Sequence, residues 1–176
     1  MRVIGGTFGG RRLVTPRGQK TRPTSELVRG AIFNSLVARG VIEDATVADL
    51  FAGSGALGIE AMSRGAREVV FVDSSREAAH AITANLEALG VAATVVQDKV
   101  ERWASAPDRA ALDVILADPP YGWGGWDDLL EILVTFPAGF VVAEAERPIE
   151  HAGWDVVGVG HHGDTVVTQL AQRGAS

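Results

Sequence analysis

The chain contains no cysteine. Disulfide frameworks and thiolate metal sites are therefore excluded, and a reducing compartment is the natural setting. Long apolar runs are missing too. Nothing approaches the roughly 18 uninterrupted apolar residues that mark a membrane helix, and the first residues lack the apolar core of a secretory signal. There is no internal repeat and no low-complexity tract. From these absences we expect a soluble, cytoplasmic protein with no membrane contact and no resident metal. Tyrosine occurs once, at position 121, and its neighbours make that position informative. The 176 residues suffice for one α/β domain with a small appendage but not for two full domains.

Charge is unevenly spread. Residues 1–40 hold Arg2, Arg11, Arg12, Arg17, Lys20, Arg22, Arg29 and Arg39 against Glu26 alone, a formal +7 within a total of −6, so the remainder of the chain stands at −13. A basic arm on an acidic body is the electrostatic footprint of a polyanion partner, although basic N-terminal extensions are also often merely solvated.

The arm begins with β-prone runs, Arg2-Val3-Ile4 and Arg11-Arg12-Leu13-Val14, separated by glycines, which predicts a hairpin. A polar linker over 15–23 follows. A helix should begin at Thr24 or Ser25, where a hydroxyl can cap it, with Leu27, Val28, Ala31, Ile32, Ser35 and Leu36 as its apolar stripe, and should fray before Gly40. Beyond residue 46 strands and helices alternate: strands over 46–51, 69–73, 93–97, 112–117 and 140–145, and helices over 57–64, 76–89, 99–105 and 126–134. Gly65 and Gly90 stand where helix C-caps belong. Such alternation builds a doubly wound, mostly parallel sheet. The last segments, 154–159 and 165–171 around a Gly-His-His-Gly-Asp loop, predict a terminal hairpin and hence an antiparallel strand in that sheet. His161 and His162 read as turn residues, since no further ligands stand at a useful spacing.

After the first parallel strand, Gly53-Ser54-Gly55-Ala56-Leu57-Gly58 satisfies G-x-G-x-x-G between strand and helix, a pattern that allows close backbone approach to a ligand. Asp73 ends the second strand twenty residues after Gly53, where a ribose-binding carboxylate belongs. A dinucleotide and S-adenosylmethionine compete for this site. Asp49, just before the loop, suits a cationic amino group and is poorly placed for a pyrophosphate. Asp98 ends the third strand, where a carboxylate accepts from an adenine amine or caps the next helix. No stretch remains for the substrate domain of a nucleotide-reducing enzyme. These details favour S-adenosylmethionine, with Phe51, Ser54 and Gly55 of the loop, Ser74 and Lys99 on the same surface.

The fourth strand ends in Asp118-Pro119-Pro120-Tyr121. Two prolines fix φ and remove backbone donors, so a carboxylate, a free carbonyl and an aromatic face share one rigid rim. That set suits a planar base with an exocyclic amine: Asp118 and the Pro119 carbonyl accept the amine hydrogens while Tyr121 stacks. Asp-Pro also begins ordinary turns. The loop beyond, Gly122-Trp123-Gly124-Gly125-Trp126, supplies indoles that either stack on flanking nucleotides or pack the loop.

Together the glycine loop, Asp73, Asp98 and the Asp-Pro-Pro-Tyr rim resemble a class I S-adenosylmethionine-dependent methyltransferase of the amino-methylating type. Arg2-Val3-Ile4-Gly5-Gly6, Gly10-Arg11-Arg12-Leu13, Arg22-Pro23-Thr24, Val28-Arg29 and Phe33-Asn34 narrow this. They resemble the RsmD family of bacterial 16S rRNA guanine-N2 methyltransferases over residues 1 to about 122. Gly30 stands where that family usually carries Glu, and the Gly- and Trp-rich loop after Tyr121 is a second departure. The resemblance implies a Rossmann-like domain over 23–176 with a basic hairpin and linker over 1–22. It implies S-adenosylmethionine as cofactor and methyl transfer to a guanine N2 in 16S rRNA of the assembled 30S particle, by a monomer. RNA would be held by Arg2, Arg11, Arg12, Lys20 and Arg22. Arg22-Pro23-Thr24 would either close over the methionine end of the cofactor or simply form a helix N-terminus, and Arg29 and Asn34 would either line the target pocket or stand solvated on their amphipathic helix. Two rivals stay open: an adenine-N6 DNA methyltransferase, for which no target-recognition domain is visible, and an RNA-binding protein with a degenerate core, which the complete cofactor set disfavours.

Overall fold

A computed structural model describes residues 1–16, 26–106, 111–135 and 138–174. Lys20, Arg22, Thr24 and the expected cap at Thr24 or Ser25 lie outside the described residues. Seven strands form one sheet in the order β3-β2-β1-β4-β5-β7-β6: β1 (Thr46–Leu50), β2 (Glu68–Asp73), β3 (Thr94–Gln97), β4 (Leu112–Ala117), β5 (Ala138–Ala145), β6 (Trp154–His162) and β7 (Thr165–Gln172). Strands β1 to β5 run parallel. Only β7 opposes them, pairing antiparallel with both β5 and β6. Helices α1 (Glu26–Ala38), α2 (Ala56–Ser63), α3 (Arg76–Leu89), α4 (Val100–Ala104) and α5 (Trp126–Val134) complete the fold. The doubly wound architecture and its C-terminal hairpin are as the alternation predicts.

Side-chain alternation divides each strand between two cores. Val47, Leu116 and Val142 join α1, α2 and α3 on one face, whereas Ala48, Ile115 and Val141 join α4 and α5 on the other. Both faces are covered, which is why the strands read as nearly continuous apolar runs.

The sequence expectation for α1 is rotated. Val28, Arg29, Ile32, Phe33 and Leu36 face inward, while Leu27 is 79% exposed and Ala31 lies on the surface. Two apolar stripes fit this segment. The one chosen buries the Phe33 ring, and with it Arg29, whose charge is met by Glu60 of α2.

The expected N-terminal hairpin contracts to one antiparallel bridge, Arg2 with Arg12. Glu60 explains this, because its carboxylate takes the Ile4 and Gly5 N–H groups at 2.7 and 3.0 Å, so neither is left for a strand partner. Val3 and Leu13 are buried in the α1–α3 core. Thr7 N–H donates to the Ser63 carbonyl at 2.8 Å, and Gly6, at φ +72°, lies so close to that carbonyl that no Cβ fits.

Because α2 follows the glycine loop directly, it must lie tight on β2. A Cβ on Gly58 would overlap the Phe71 ring, 2.8 Å from Cζ, and stand 2.9 Å from Val69 Cγ1. Both neighbours are buried in the core, so neither can yield cheaply. Gly58→Ala should therefore lower the unfolding free energy by about 1–3 kcal/mol, measured by urea titration. An unchanged midpoint would show that the helix can lift from β2 without cost.

Candidate active site

Chain order reverses between β1 and β4, where strands laid successively outward from β1 give way to strands laid on its other side. In open α/β sheets the crevice at such a switch point, beyond the carboxyl ends of the strands, is where ligands bind. A cavity of about 890 Å³ opens there. Acids mark the strand ends around it: Asp49 in β1, Asp73 in β2, Asp118 after β4 and Glu144 in β5 all line its wall.

The glycine loop leaves β1 through Phe51, a non-glycine residue at φ +60°, then Gly53 and Gly55 at φ +55° and +77°. Asp73 reaches across from β2 and holds the turn. One carboxylate oxygen accepts the Gly53 N–H at 2.8 Å and the other the Ser75 N–H at 2.8 Å. Asp49 supports the loop from beneath, accepting the Gly58 N–H at 2.8 Å in the first turn of α2, where a helix leaves donors unpaired and favours negative charge. Asp49 is 1% exposed. Burial holds its carboxyl well above the usual aspartate range; the Gly58 bond opposes this, and the nearby charges of Asp118 and Asp73 reinforce it. Asn85 of α3 anchors the loop laterally, its amide donating to the Ser54 carbonyl at 2.9 Å and exchanging hydrogen bonds with the Val14 backbone.

On the opposite rim Asp118 and Pro119 are half-buried, Pro120 is exposed and Tyr121 is 86% exposed. Two hydrogen bonds hold the loop beyond them. Trp123 N–H donates to the Pro120 carbonyl at 3.0 Å, and Gly122 N–H donates to Glu146 at 2.6 Å. The Pro120 carbonyl is thus engaged within the loop. Trp123 packs edge-on against Phe51, ring centroids 4.9 Å apart, and against the buried Trp126 at 5.2 Å. For these indoles the packing alternative is the one realised.

The structure gathers most of the sequence candidates into this one cavity: Asp49, Phe51, Gly53, Ser54, Asp73, Ser74 and Lys99, together with Asp118 through Tyr121, line it. Gly55 is buried behind the loop. Asp98 is not on the wall. Its carboxylate takes the Lys99 N–H at 2.6 Å and the Arg102 Nε at 2.6 and 2.8 Å, while Lys99, Val100 and Glu101 face the space instead. Arg29 does reach the wall, whereas Asn34 points to Arg64 on the surface. Arg2 pairs with Glu26 at 2.9 Å and Arg11 donates to the Ala88 carbonyl at 2.8 Å. Arg12 is exposed.

Sequence reasoning missed Glu144, Glu146, His162 and the Met1 wall. Glu144 carried a signal, since it is the acid at the end of the fifth strand, in the same kind of place as Asp73. Met1 and His162 carried none, because only tertiary packing brings them here.

This sheet order and cavity define a class I methyltransferase architecture. A family model described as "Conserved hypothetical protein 95" matches residues 1–169, and the chain belongs to this family, the RsmD family. Ribosomal RNA small subunit methyltransferase D of Escherichia coli is 31% identical, covering 98% of this chain and 88% of its own. A Bacillus subtilis protein provisionally named rRNA methyltransferase YlbH is 37% identical over 158 residues, 85% of each chain. A solved E. coli structure, provisionally described as methyltransferase yhhF, superposes with a TM-score of 0.86 at 30% identity over 98% of this chain and 97% of its own.

The raised Asp49 pKa has a definite sign in stability. A carboxyl titrating higher in the folded than in the unfolded protein favours folding when protonated, and that contribution is lost as pH rises from the ordinary aspartate value of 3.8 through the folded value. Asp49→Asn keeps an acceptor for Gly58 and carries no charge. The stability of the variant relative to wild type should therefore grow as pH rises through this window, measured by urea titrations across the acid range. A pH-independent difference would refute the buried-acid account.

Proposed function

We propose that the protein transfers a methyl group from S-adenosylmethionine to the exocyclic N2 amine of a guanine in 16S rRNA, acting as a monomer on the assembled 30S particle in the cytoplasm. The observation that carries this reading is the placement of Asp118-Pro119-Pro120-Tyr121 on one rim of the cavity that Asp73 and the glycine loop line on the other.

The wall suits the cofactor group by group. Asp73 offers acceptors for a ribose diol beside a loop whose backbone admits close approach. Asp49 faces the place of the ammonium group, and the acidic strand ends suit a sulfonium. Arg29 holds buried guanidinium N–H groups with no hydrogen-bond partner on the same wall, which fits the carboxylate. When bound, the cofactor supplies an electrophilic methyl group on its sulfonium.

The rest of the chemistry is positioning. A guanine N2 lone pair is conjugated with its ring, and two acceptors can turn it toward the methyl group: the Asp118 carboxylate and the Pro119 carbonyl, the Pro120 carbonyl being engaged with Trp123. Tyr121, exposed between the Pro120 and Gly122 anchors, offers its face to the base. Asp118 accepts hydrogen bonds as positive charge develops on the nitrogen and need not be a strong base, because the methylated amine is acidic enough to lose its proton late. The target base must be unstacked before it reaches this rim. Residues 1–22 are the RNA-facing arm in this reading. Exposed Arg2 and Arg12, with Arg11, Lys20 and Arg22, meet phosphates at the rim while the acidic body stays clear of them.

The deciding assay offers the purified protein S-adenosylmethionine with a radiolabelled methyl, and in parallel 30S particles lacking the modification, naked 16S rRNA and duplex DNA. Label recovered as N2-methylguanosine from the particles is expected. Label in N6-methyladenine from DNA, with none in rRNA, would replace this reading with the adenine one. Asp118→Ala should leave cofactor affinity within about twofold while cutting turnover by roughly 10²-fold or more, read by calorimetry beside the transfer assay. Parallel loss of both would overturn the division between the two rims.

A further inference from the structure

Arg29 is the least satisfied polar group among the described residues. It is 1% exposed. Its Nη2 donates to the Arg2 carbonyl, but Nε and Nη1 are buried without a hydrogen-bond partner. The acid beside it does not resolve this. Glu60 Oε2 lies 3.7 Å from Nε, beyond hydrogen-bonding range, and the Glu60 oxygens already accept from Ile4, Gly5 and the Arg64 Nε. Glu60 therefore balances the charge without meeting the donors. Buried guanidinium groups normally have both.

The surroundings indicate what completes the set. Acids dominate the cavity wall: Asp49, Asp73, Glu101, Asp118, Glu144 and Glu146 all line it. Among the described residues its side-chain cations are Arg29 and Lys99. Lys99 stands just past β3, next to the Asp73 end of the cavity. Arg29 stands over the other end, on the α1 wall with Val28 and Met1. A ligand whose ribose met Asp73 and whose methyl group faced Asp118 would have its amino-acid tail toward Asp49 and the α1 wall, and its ammonium group would suit Asp49. The acids of the wall repel a carboxylate, and Arg29 is the described side chain at that end that attracts one.

We propose that Arg29 binds the carboxylate at the methionine end of the cofactor through the guanidinium N–H groups that the protein leaves unpaired. The assignment rests on the S-adenosylmethionine reading above and names the subsite that orients its tail. Burial gives the contact its strength, since a charge pair shielded from water is screened little.

Wild-type protein tests this directly, by titration calorimetry with S-adenosylhomocysteine and with its decarboxylated analogue. The analogue should bind roughly 10- to 100-fold more weakly, as expected for losing a hydrogen-bonded charge pair, although an acid-lined cavity by itself would favour the more cationic ligand. Arg29→Gln should weaken S-adenosylhomocysteine and bring the ratio near one, because the analogue never used the guanidinium. Equal affinity of wild type for both ligands would overturn the Arg29 assignment and leave the cofactor reading standing. Binding of neither would remove the cofactor reading and the subsite together.

Discussion

Asp49 and Asp73 grip the glycine loop from two sides, and the geometry of the site follows from that grip. A chain leaving β1 through a non-glycine residue at φ +60° is held in a conformation it would not choose alone. The compensation is local: Asp73 takes the Gly53 N–H and Asp49 takes the Gly58 N–H. Both acids sit at the ends of adjacent parallel strands in fixed register, Asp49 opposite Phe71 and Asp73 opposite Gln97. The sheet therefore sets the loop, and the loop sets where α2 begins. Each acid also faces the cavity, so the groups that hold the loop are the groups a ligand meets.

The N-terminal segment is part of the cavity's construction as well as a basic arm. Glu60 holds its first turn, Ser63 its second, and Asn85 its exit, the last by hydrogen bonds that reach Val14 on one side and Ser54 of the glycine loop on the other. Met1 lines the wall and its sulfur accepts from Ser54 at 3.6 Å. The element read as the RNA contact thus shares a rigid connection with the element read as the cofactor contact. Asn85 is the side chain that bonds both, through Val14 on the arm and Ser54 on the loop.

Much of this was legible in the sequence because strand ends and glycine spacing are local signals. Strand–helix alternation placed the elements after residue 46 to within about two residues, except that β6 runs three residues further than expected and takes His161 and His162 from the turn into the strand; the acids of the first, second and fourth strands came with them. Asp98 stands at a strand end with two outlets, and in the structure its carboxylate turns to the Lys99 N–H at the start of α4 and to Arg102 one helical turn on. The rotation of α1 was not legible, since burial of Arg29 depends on Glu60, a residue 31 positions away. Nor was the contraction of the hairpin, which depends on the same Glu60. Both features have one origin: a buried carboxylate whose partners are distant in sequence leaves no periodicity to read.

Charge placement gives the proposed function its direction. The interior wall is acidic and the arm outside it basic, so the cavity and the outer rim select opposite partners within one small molecule. RNA phosphates are drawn to the arm and repelled from the acid-lined cavity, so a base can enter while its backbone stays outside. Within the cavity the same field distinguishes donor from product. Transfer converts a sulfonium into a neutral thioether, and the acids of the wall lose an attraction at the moment the methyl leaves. The ribose, ammonium and carboxylate groups are common to both species. The difference between them therefore resides in the charge that the reaction removes, and an acidic wall favours exchange of spent cofactor for fresh without any movement of the fold.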